Sequence, residues 1–435
     1  MLNAVKIRRP SFKSNRKSAP LILCTVVLMV PLVGAFPGLD TIELYAFGYL
    51  IPSQVVIVAV GAILLGAAYF VALGEGASGV RHIVLPILTL FGCMVLWGLI
   101  CAWVSGRVIQ RVPMQALWMV SPLLFAGFLV GVAKKRGIRF SGLIEIVVVA
   151  AALFSCVLVV YNFAAYGISL ANGRLYCPGL GSVALGYANA LVIALAVSRK
   201  GANTLIPKSL LLFSVVVLLA STLLTGSRGG MYPALALSLI YFLPTKNAAA
   251  TILLVLGAMI VILAFNPVEA FLSGRAGNLQ SERYATWEAS YAVFRDGSPL
   301  EQLFGYGLGN VFPFQDWYTG LNTGVIERAY TDGVWNSFSF QGHAMLVEPH
   351  NTYIWLLLEG GVISVIGFVI CLIVPLLSLG SSKGLPKLRY GVVVATFMVL
   401  GVFDAIVIAN VASAFWWGVL LIAFEASVES EGESA

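Results

Sequence analysis

Charged residues are scarce in this 435-residue chain: they make up 10% of it, whereas hydrophobic residues make up 60%. A soluble protein would carry about 25% charged residues. Apolar runs of about 20 residues recur throughout, which is the length that a helix needs to cross the hydrocarbon of a bilayer. The composition therefore excludes a soluble fold and predicts an all-α polytopic membrane protein, since a β-barrel would show short alternating segments.

Cysteine and histidine are also rare. Five of the six cysteines lie inside apolar runs and no CxxC occurs, so only Cys177, in a predicted loop, differs from a small hydrophobic residue. Of the three histidines, His350 precedes an apolar helix directly after a long polar loop, where water meets lipid. Imidazole is the side chain best able to move a proton near neutral pH, so this position indicates chemistry at a membrane surface.

The apolar runs predict about twelve transmembrane helices. Their predicted bounds are 21–36, 44–73, 83–104, 114–133, 142–163, 181–198, 208–224, 230–244, 248–265, 351–379, 390–409 and 411–426. No small-residue cleavage site clearly follows the first run, so we expect a retained helix and not a removed signal peptide. Pro52 in the long second run predicts that this span is broken or tilted.

Residues 266–350 form a polar interruption of 85 residues. It separates spans one to nine, within residues 1–265, from spans ten to twelve and an acidic tail, within residues 351–435. The three parts are expected to form one integral membrane domain. Ordinary connections run about 4–6 residues, and an ordered loop this long is usually functional.

The basic residues predict how the chain is oriented. Eighteen of the 26 lie on one side of the predicted topology, including six before the first span and the cluster at residues 134–139. We therefore expect that side and both termini to be cytoplasmic, with the acidic tail returning there. The 266–350 loop is then expected on the outer face.

The eight basic residues that resist this bias are all arginines, whereas all ten lysines fall on the inner side. They are Arg107, Arg111, Arg174, Arg228, Arg275, Arg283, Arg295 and Arg328. The planar guanidinium binds phosphate or carboxylate through paired donors, so the set predicts an anionic ligand at the outer face. For any single arginine, ion pairing with loop acids such as Glu282, Glu288 and Asp296 is the alternative.

Three of these arginines have informative surroundings. Arg228 lies in a tight Thr-Gly-Ser-Arg-Gly-Gly turn, whose glycines permit close approach of the backbone to a ligand. A plain turn with an arginine extending toward water is the alternative. Arg174 lies in an outer loop just before the sixth span. Arg283 lies in a predicted short loop helix, four residues before Trp287 and on the same face, which suits a sugar phosphate, although simple packing explains the pair nearly as well.

These elements occur in an order that resembles the O-antigen ligase and polymerase family, bacterial enzymes that move glycans off undecaprenyl pyrophosphate. The elements are Arg174, Ser227-Arg228-Gly229, Arg283 with Trp287, Gly305-Tyr306-Gly307-Leu308-Gly309, and His350-Asn351 followed by Glu359 and Gly361. Each motif alone is weak. The ordered set, over roughly residues 170–365, is fairly specific.

The resemblance implies a glycosyltransferase C-type fold in the bacterial inner membrane, with a periplasmic site that uses no metal, nucleotide sugar or other cofactor. The catalytic residues that it implies are Arg228, Arg283 and His350, with Arg275 and Arg295 as alternatives to Arg283. The substrate-binding residues predicted with them are Arg174, Arg275, Trp287, Arg295, Asn351 and Glu359. The expected partners are the lipid-linked glycan donor, a lipid A–core acceptor and membrane lipids, without nucleic acid.

In the predicted mechanism, arginines stabilise the pyrophosphate leaving group as its bond to the sugar breaks, and His350 takes the proton of the acceptor hydroxyl. Direct displacement would invert the anomeric centre. Glu359 lies nine residues further along the helix, on the face opposite His350. As intramembrane acids, Glu359 and Asp404 are nonetheless functional candidates.

Two alternatives to an O-antigen ligase stay open. A polymerase would use the same donor, but one large outer loop dominates the predicted external surface and only a short loop surrounds Arg174, which favours the ligase. A transporter of an anionic lipid or solute would suit broken helices and an intramembrane acid. The absence of visible repeats and the clustering of charge on one face disfavour the transporter.

Overall fold

The structure is a computed structural model. The described residues are 43–46, 49–52, 78–104, 111–167, 174–177, 181–199, 204–242, 279–311, 339–340, 343–344, 349–379, 385–404 and 412–432. Nearly all of them are helical, so the predicted all-α architecture is confirmed for this part of the chain.

Eleven helices and two short hairpins occur within these ranges. The helices are α1 Ser78–Val104, α2 Arg111–Lys135, α3 Phe140–Tyr166, α4 Gly181–Ser198, α5 Lys208–Thr225, α6 Arg228–Phe242, α7 Leu279–Asp296, α8 Pro299–Phe304, α9 Thr352–Ser378, α10 Leu385–Phe403 and α11 Ala412–Gly432. The antiparallel hairpins are β1 Glu43–Ala46 with β2 Tyr49–Pro52, and β3 Ser339–Phe340 with β4 His343–Ala344.

Five of these helices are long and apolar enough to cross a membrane. They are His82–Val104, within α1, together with α3, α4, α5 and α9. In α3 the large side chains of Leu153, Val157 and Val160 are each more than 60% exposed and recur at helical spacing. Such an apolar outward stripe suits contact with lipid, so the protein is a helical membrane protein.

The predicted spans correspond to these helices with two differences. Spans three to eight and ten to twelve match α1 to α6 and α9 to α11, with ends shifted by a few residues. The predicted start of span two is wrong, because residues 43–46 and 49–52 form the paired strands β1 and β2, whose aromatic and large apolar residues favour a strand. The rest of span two and spans one and nine lie outside the described residues, so the total of twelve stays a prediction.

Helix α4 lies at the centre of the bundle and is buried from Ala184 to Ser198. Its small residues allow neighbouring helices to approach its backbone closely. A Cβ atom added at Gly230 of α6 would lie 2.5 Å from the carbonyl carbon of Gly186. This crossing brings the first turn of α6 against α4.

The bundle has two distinct ends. At one, the Lys134 ammonium pairs with Glu425 at 2.8 Å, and the Glu429 carboxylate accepts hydrogen bonds from the N–H groups of Phe140 and Ser141. The acidic tail is thus the last part of α11 and meets the basic cluster at residues 134–139, which confirms that the two share a face. We call this the Lys134 end, and the opposite one, where α9 begins, the His350 end.

Candidate functional site

A histidine and a carboxylate meet at the His350 end. Nδ1 of His350 lies 3.3 Å from Oδ1 of Asp404, with the two side chains 48% and 24% exposed. An ionised carboxylate there accepts the Nδ1–H, which leaves Nε2 with its lone pair as the proton acceptor. A base held in one orientation by a third group is a recurring arrangement in nucleophile activation.

Asp404 is also fixed to the start of α9. Its backbone carbonyl accepts hydrogen bonds from the Thr352 N–H at 3.2 Å and the Thr352 hydroxyl at 2.8 Å. These bonds join the end of α10 to the first turn of α9. The distance between His350 and Asp404 is therefore set by backbone as well as by side chains.

His350 has an unusual backbone conformation, with φ of 44°, the only positive φ of a residue other than glycine in the described ranges. This region costs about 1 kcal/mol or more for an L residue and is found often at functional sites. Asn351, next in the chain, caps α9 by accepting from the N–H groups of Tyr353 and Ile354. The cap holds the strained residue at the helix entrance and gives Asn351 a structural role there.

Trp287 connects the predicted loop to the histidine. Its indole N–H donates to the carbonyl of Pro349, the residue before His350. Trp287 lies in α7, which confirms a helix at this position. Arg283 is placed one turn earlier in α7, but its side chain lies outside the described residues.

The Ser-Arg-Gly-Gly motif forms the turn from α5 to α6. Ser227 caps α6, because its hydroxyl accepts from the Gly230 N–H at 3.4 Å, and Thr225 accepts from the Ser227 N–H at 3.2 Å. Gly226 ends α5 in the left-handed region with φ of 61°. Arg228 is the first residue of α6 and is half-buried.

Arg174 lies against this turn. A Cβ atom added at Gly226 would lie 3.4 Å from Nε of Arg174, so the Arg174 side chain packs directly against this residue. The Leu175 N–H donates to the carbonyl of Leu224 at 2.8 Å, which satisfies an otherwise unpaired carbonyl at the end of α5. Buried Asn162 of α3 holds the same segment through two bonds to the Tyr176 backbone, at 2.7 and 2.9 Å.

The arginine turn and the histidine–aspartate pair touch through adjacent residues. A Cβ atom added at Gly229 would lie 2.6 Å from Cβ of Phe403, and Phe403 immediately precedes Asp404. Tyr187 of α4 donates to the Phe403 carbonyl at 3.2 Å and fixes this contact. The structure therefore places Arg174, Arg228, Asp404 and His350, from four separate parts of the chain, in one region of the His350 end, which we call the arginine–histidine corner.

The electrostatics of this corner favour an anion. An α-helix carries partial positive charge at its amino terminus, where a cation costs about 0.3–1 kcal/mol. Arg228 nevertheless occupies the first position of α6, and Arg174 packs against Gly226, two residues earlier. A phosphate group there would meet two guanidinium groups and a helix amino terminus.

Glu359 occupies a different environment. It is fully buried, and its carboxylate accepts a hydrogen bond from the Gly309 N–H. The Gly305–Gly309 motif lies against α9 there, with the N–H groups of Tyr306 and Gly307 bonded to the carbonyls of Leu358 and Glu359 at 2.8 and 3.0 Å.

Part of the 266–350 loop is buried within the bundle, whereas the expected position of the loop on the outer face stays a prediction. Residues 305–311 are buried between α1 and α9, and Asn310 donates to the carbonyl of Gly98 in α1 at 3.2 Å. Non-helical backbone is tolerated at this depth only where protein satisfies its polar groups, and Glu359 does so. Glu359 lies about 13 Å along α9 from His350 at 1.5 Å per residue.

Two predicted arginines, Arg275 and Arg295, remain to be placed. Arg275 lies outside the described residues. Arg295 is 69% exposed and pairs with its neighbour Asp296 at 3.4 Å, as expected of a surface ion pair. No group of three or more His, Cys, Asp or Glu side chains that could hold a metal ion occurs in the described ranges, and metal independence stays a prediction.

The sequence signal was weakest for the residues that position others. Asp404 was notable only as an acid in an apolar run, and nothing linked it to His350, 54 residues earlier. Asn162 and Tyr187 gave no signal beyond a polar group in a predicted span. A polar side chain in a span is the cue that could have singled them out.

Comparisons with known proteins do not identify a family for this chain. No model of a known protein family matches the chain, and no curated protein sequence matches it at a significant level. The geometry above and the ordered motifs are the features that bear on the function of this chain.

Proposed function

We propose that this protein transfers a glycan from undecaprenyl pyrophosphate to a sugar hydroxyl of lipid A–core, at the periplasmic face of the bacterial inner membrane. The observation that carries the proposal is the contact between Gly229, next to Arg228, and Phe403, next to Asp404, because it places the arginine turn beside the His350–Asp404 pair. Transfer from a sugar pyrophosphate needs a site for the leaving pyrophosphate and a base for the acceptor. Paired guanidinium groups and an oriented imidazole supply these two functions.

The reaction proceeds by direct displacement. The acceptor hydroxyl gives its proton to Nε2 of His350 while its oxygen bonds to the anomeric carbon from the face opposite the leaving group. The bond between that carbon and the pyrophosphate oxygen breaks, and its electron pair leaves with undecaprenyl pyrophosphate. Arg174 and Arg228 stabilise the charge that develops on this group, and the anomeric centre inverts.

Asp404 acts through His350 as a positioning residue. It holds the imidazole so that Nε2 is the basic nitrogen, and it stabilises the imidazolium that forms when the proton arrives. The proposal assigns the stabilisation of the leaving group to the arginines, with no metal ion in the step. We include Arg283 in the proposed site because the bond from Trp287 to Pro349 joins its helix to the residue before His350.

The experiment supplies purified protein in detergent micelles with undecaprenyl-pyrophosphate glycan, with and without lipid A–core. Glycan on lipid A–core in one step is the expected result. Lengthening of the lipid-linked chain without that acceptor would identify a polymerase instead. Micelles have no second compartment, so a transporter would give no covalent product in either reaction.

A further inference from the structure

A second basic site lies at the Lys134 end, far from the histidine. A cavity of about 300 Å³ opens there between the ends of α3, α4, α5 and α6. Its polar lining includes Glu145, Arg199, Lys208 and Tyr241, and its apolar lining includes Leu211 and Leu212. Because α3, α4 and α5 are candidate membrane helices, their shared end places the cavity at the membrane boundary.

Glu145, the one acidic residue among the lining residues, is bonded to other groups of the protein. Glu145 is 1% exposed, pairs with Arg199 Nη2 at 3.1 Å, and accepts from the N–H groups of Leu205 and Ile206 at 2.7 and 3.0 Å. Its carboxylate is therefore paired with three donors of the protein. No other carboxylate among the lining residues opposes the positive charge of Lys208.

Two features add to the positive potential of the cavity. Lys208 is exposed and begins α5, an 18-residue helix whose amino terminus carries partial positive charge. Arg389, in the first turns of α10 and before the predicted span, is near enough to Arg199 that burial and this neighbouring charge lower its pKa. Its buried Nε has no hydrogen-bond partner in the described part of the chain. An anion would relieve the repulsion between these cations.

The apolar side of the cavity points to a lipid and not to a small soluble anion. Leu212 of the lining is 42% exposed, and its neighbour Phe213 is 61% exposed, so the cavity wall continues into the outer apolar surface of α5. Acyl chains can lie along this surface while a phosphate sits beside Lys208 and Arg199. Basic pockets between membrane helices on the cytoplasmic side are typical binding sites for anionic lipid headgroups.

We propose that this cavity binds the phosphate-bearing headgroup of an anionic phospholipid. The proposal is independent of glycan transfer, because it concerns the opposite end of the bundle and is measured by binding. It predicts a preference for phosphatidylglycerol or cardiolipin over phosphatidylethanolamine, whose ammonium group would face the cations of the site.

The test uses the full-length protein, purified and stripped of lipid in a neutral detergent. Native mass spectrometry and thermal unfolding are measured with phosphatidylglycerol, cardiolipin, phosphatidylethanolamine and inorganic phosphate in turn. We expect retained copies and a raised Tm with the two anionic lipids only. Equal stabilisation by inorganic phosphate would overturn the lipid assignment, and equal retention of phosphatidylethanolamine would overturn the charge argument.

The variant Lys208→Glu tests whether the lipid binds at this cavity. A glutamate at the first helical position is favourable for the helix, so this variant is expected to fold. Reversing the charge should weaken anionic-lipid binding roughly tenfold, since each basic residue near an anionic lipid contributes a several-fold factor. Lys135→Glu is the matched control, because Lys135 is an exposed lysine at the same end and outside the cavity lining. Equal loss of binding in both variants would show that only surface charge matters and would overturn the proposal.

Discussion

The two ends of the bundle use charged groups in opposite ways. At the Lys134 end the carboxylates of Glu145 and Glu425 are 1% and 2% exposed and lie against Arg199 and Lys134. At the His350 end His350 is 48% exposed, and its aspartate partner is 24% exposed. Buried, paired carboxylates hold helices together, whereas accessible charged groups can meet a substrate. For these groups, exposure more than the presence of charge separates a structural ion pair from one that can meet a substrate.

The arginines show the same contrast. Arg199 follows the last residue of α4, where a cation favours the helix dipole, and it binds a buried acid. Arg228 begins α6, where a cation opposes the dipole, and Arg174 lies against Gly226 in the same turn. The amino terminus of a helix is a favourable place for an anionic ligand. The following predictions test this division of roles.

The largest effect is expected for His350→Ala. Loss of a general base typically lowers the rate 10²–10⁴-fold, and removing an exposed side chain from a strained position should not destabilise the fold. Transfer to lipid A–core and thermal unfolding are measured together. His82→Ala is the control, since His82 is an exposed histidine on α1 near the opposite end. Wild-type rates in the His350 variant would remove it from the mechanism.

Arg228→Lys should lower the rate by about a hundredfold, nearly as much as Arg228→Ala. Lysine keeps the charge but lacks the planar paired donors that match a pyrophosphate, and an oxyanion donor contributes about 10²-fold or more. Arg136→Lys, at an exposed position of the other end, should keep full activity. Full activity in Arg228→Lys would mean that charge alone is needed there.

Glu145→Gln should have the opposite effect to the two variants above: it should lower the stability of the protein and leave the rate per folded molecule unchanged. It removes a buried charge that faces Arg199, which we expect to cost about 2 kcal/mol of unfolding free energy. Denaturation in detergent measures the stability, and the transfer assay at a temperature where the variant is folded measures the rate. A slowed but fully stable variant would contradict the structural role of this end.

The smallest effect concerns thiol labelling and the orientation of the two ends. Burial raises the pKa of Cys177 to about 12, and its side chain is 1% exposed, so it should stay unreactive to a membrane-impermeant thiol reagent near pH 8. A cysteine in place of Asn322, within the predicted loop, should react from outside. Labelling of that cysteine only after the inner membrane is opened would reverse the predicted topology, and rapid labelling of Cys177 would contradict its burial.

The positions of most described helices were predictable from the sequence, because an apolar run long enough to cross a bilayer has few structural alternatives. Helix α4 was predicted with its observed bounds, Gly181–Ser198. The β1–β2 hairpin was missed, since large apolar residues such as Leu44 and Ile51 suit a strand as well as a helix. The buried path of residues 305–311 was also missed, because their burial depends on glycines facing two distant helices.

The candidate site was predictable only as separate pieces. Arg174, Arg228 and His350 were identified by their residue types and surroundings in the chain. The contact between Gly229 and Phe403, which joins the arginines to Asp404, involves residues about 170 positions apart. No local pattern encodes such a contact. Glu359 and Asp404 looked alike in the sequence, and their surroundings in the structure separate them: one supports a buried loop and the other orients a histidine.

By itself, then, the sequence determined that this is a helical membrane protein, where most of its helices lie, and which polar side chains stand out against the apolar background. These properties follow from composition and length, since the cost of placing polar groups in lipid acts on each segment separately. Only the tertiary structure decided which polar groups meet. Close packing of α4, α6 and α10 brings distant residues together, and burial decides which charges are neutralised and which remain accessible.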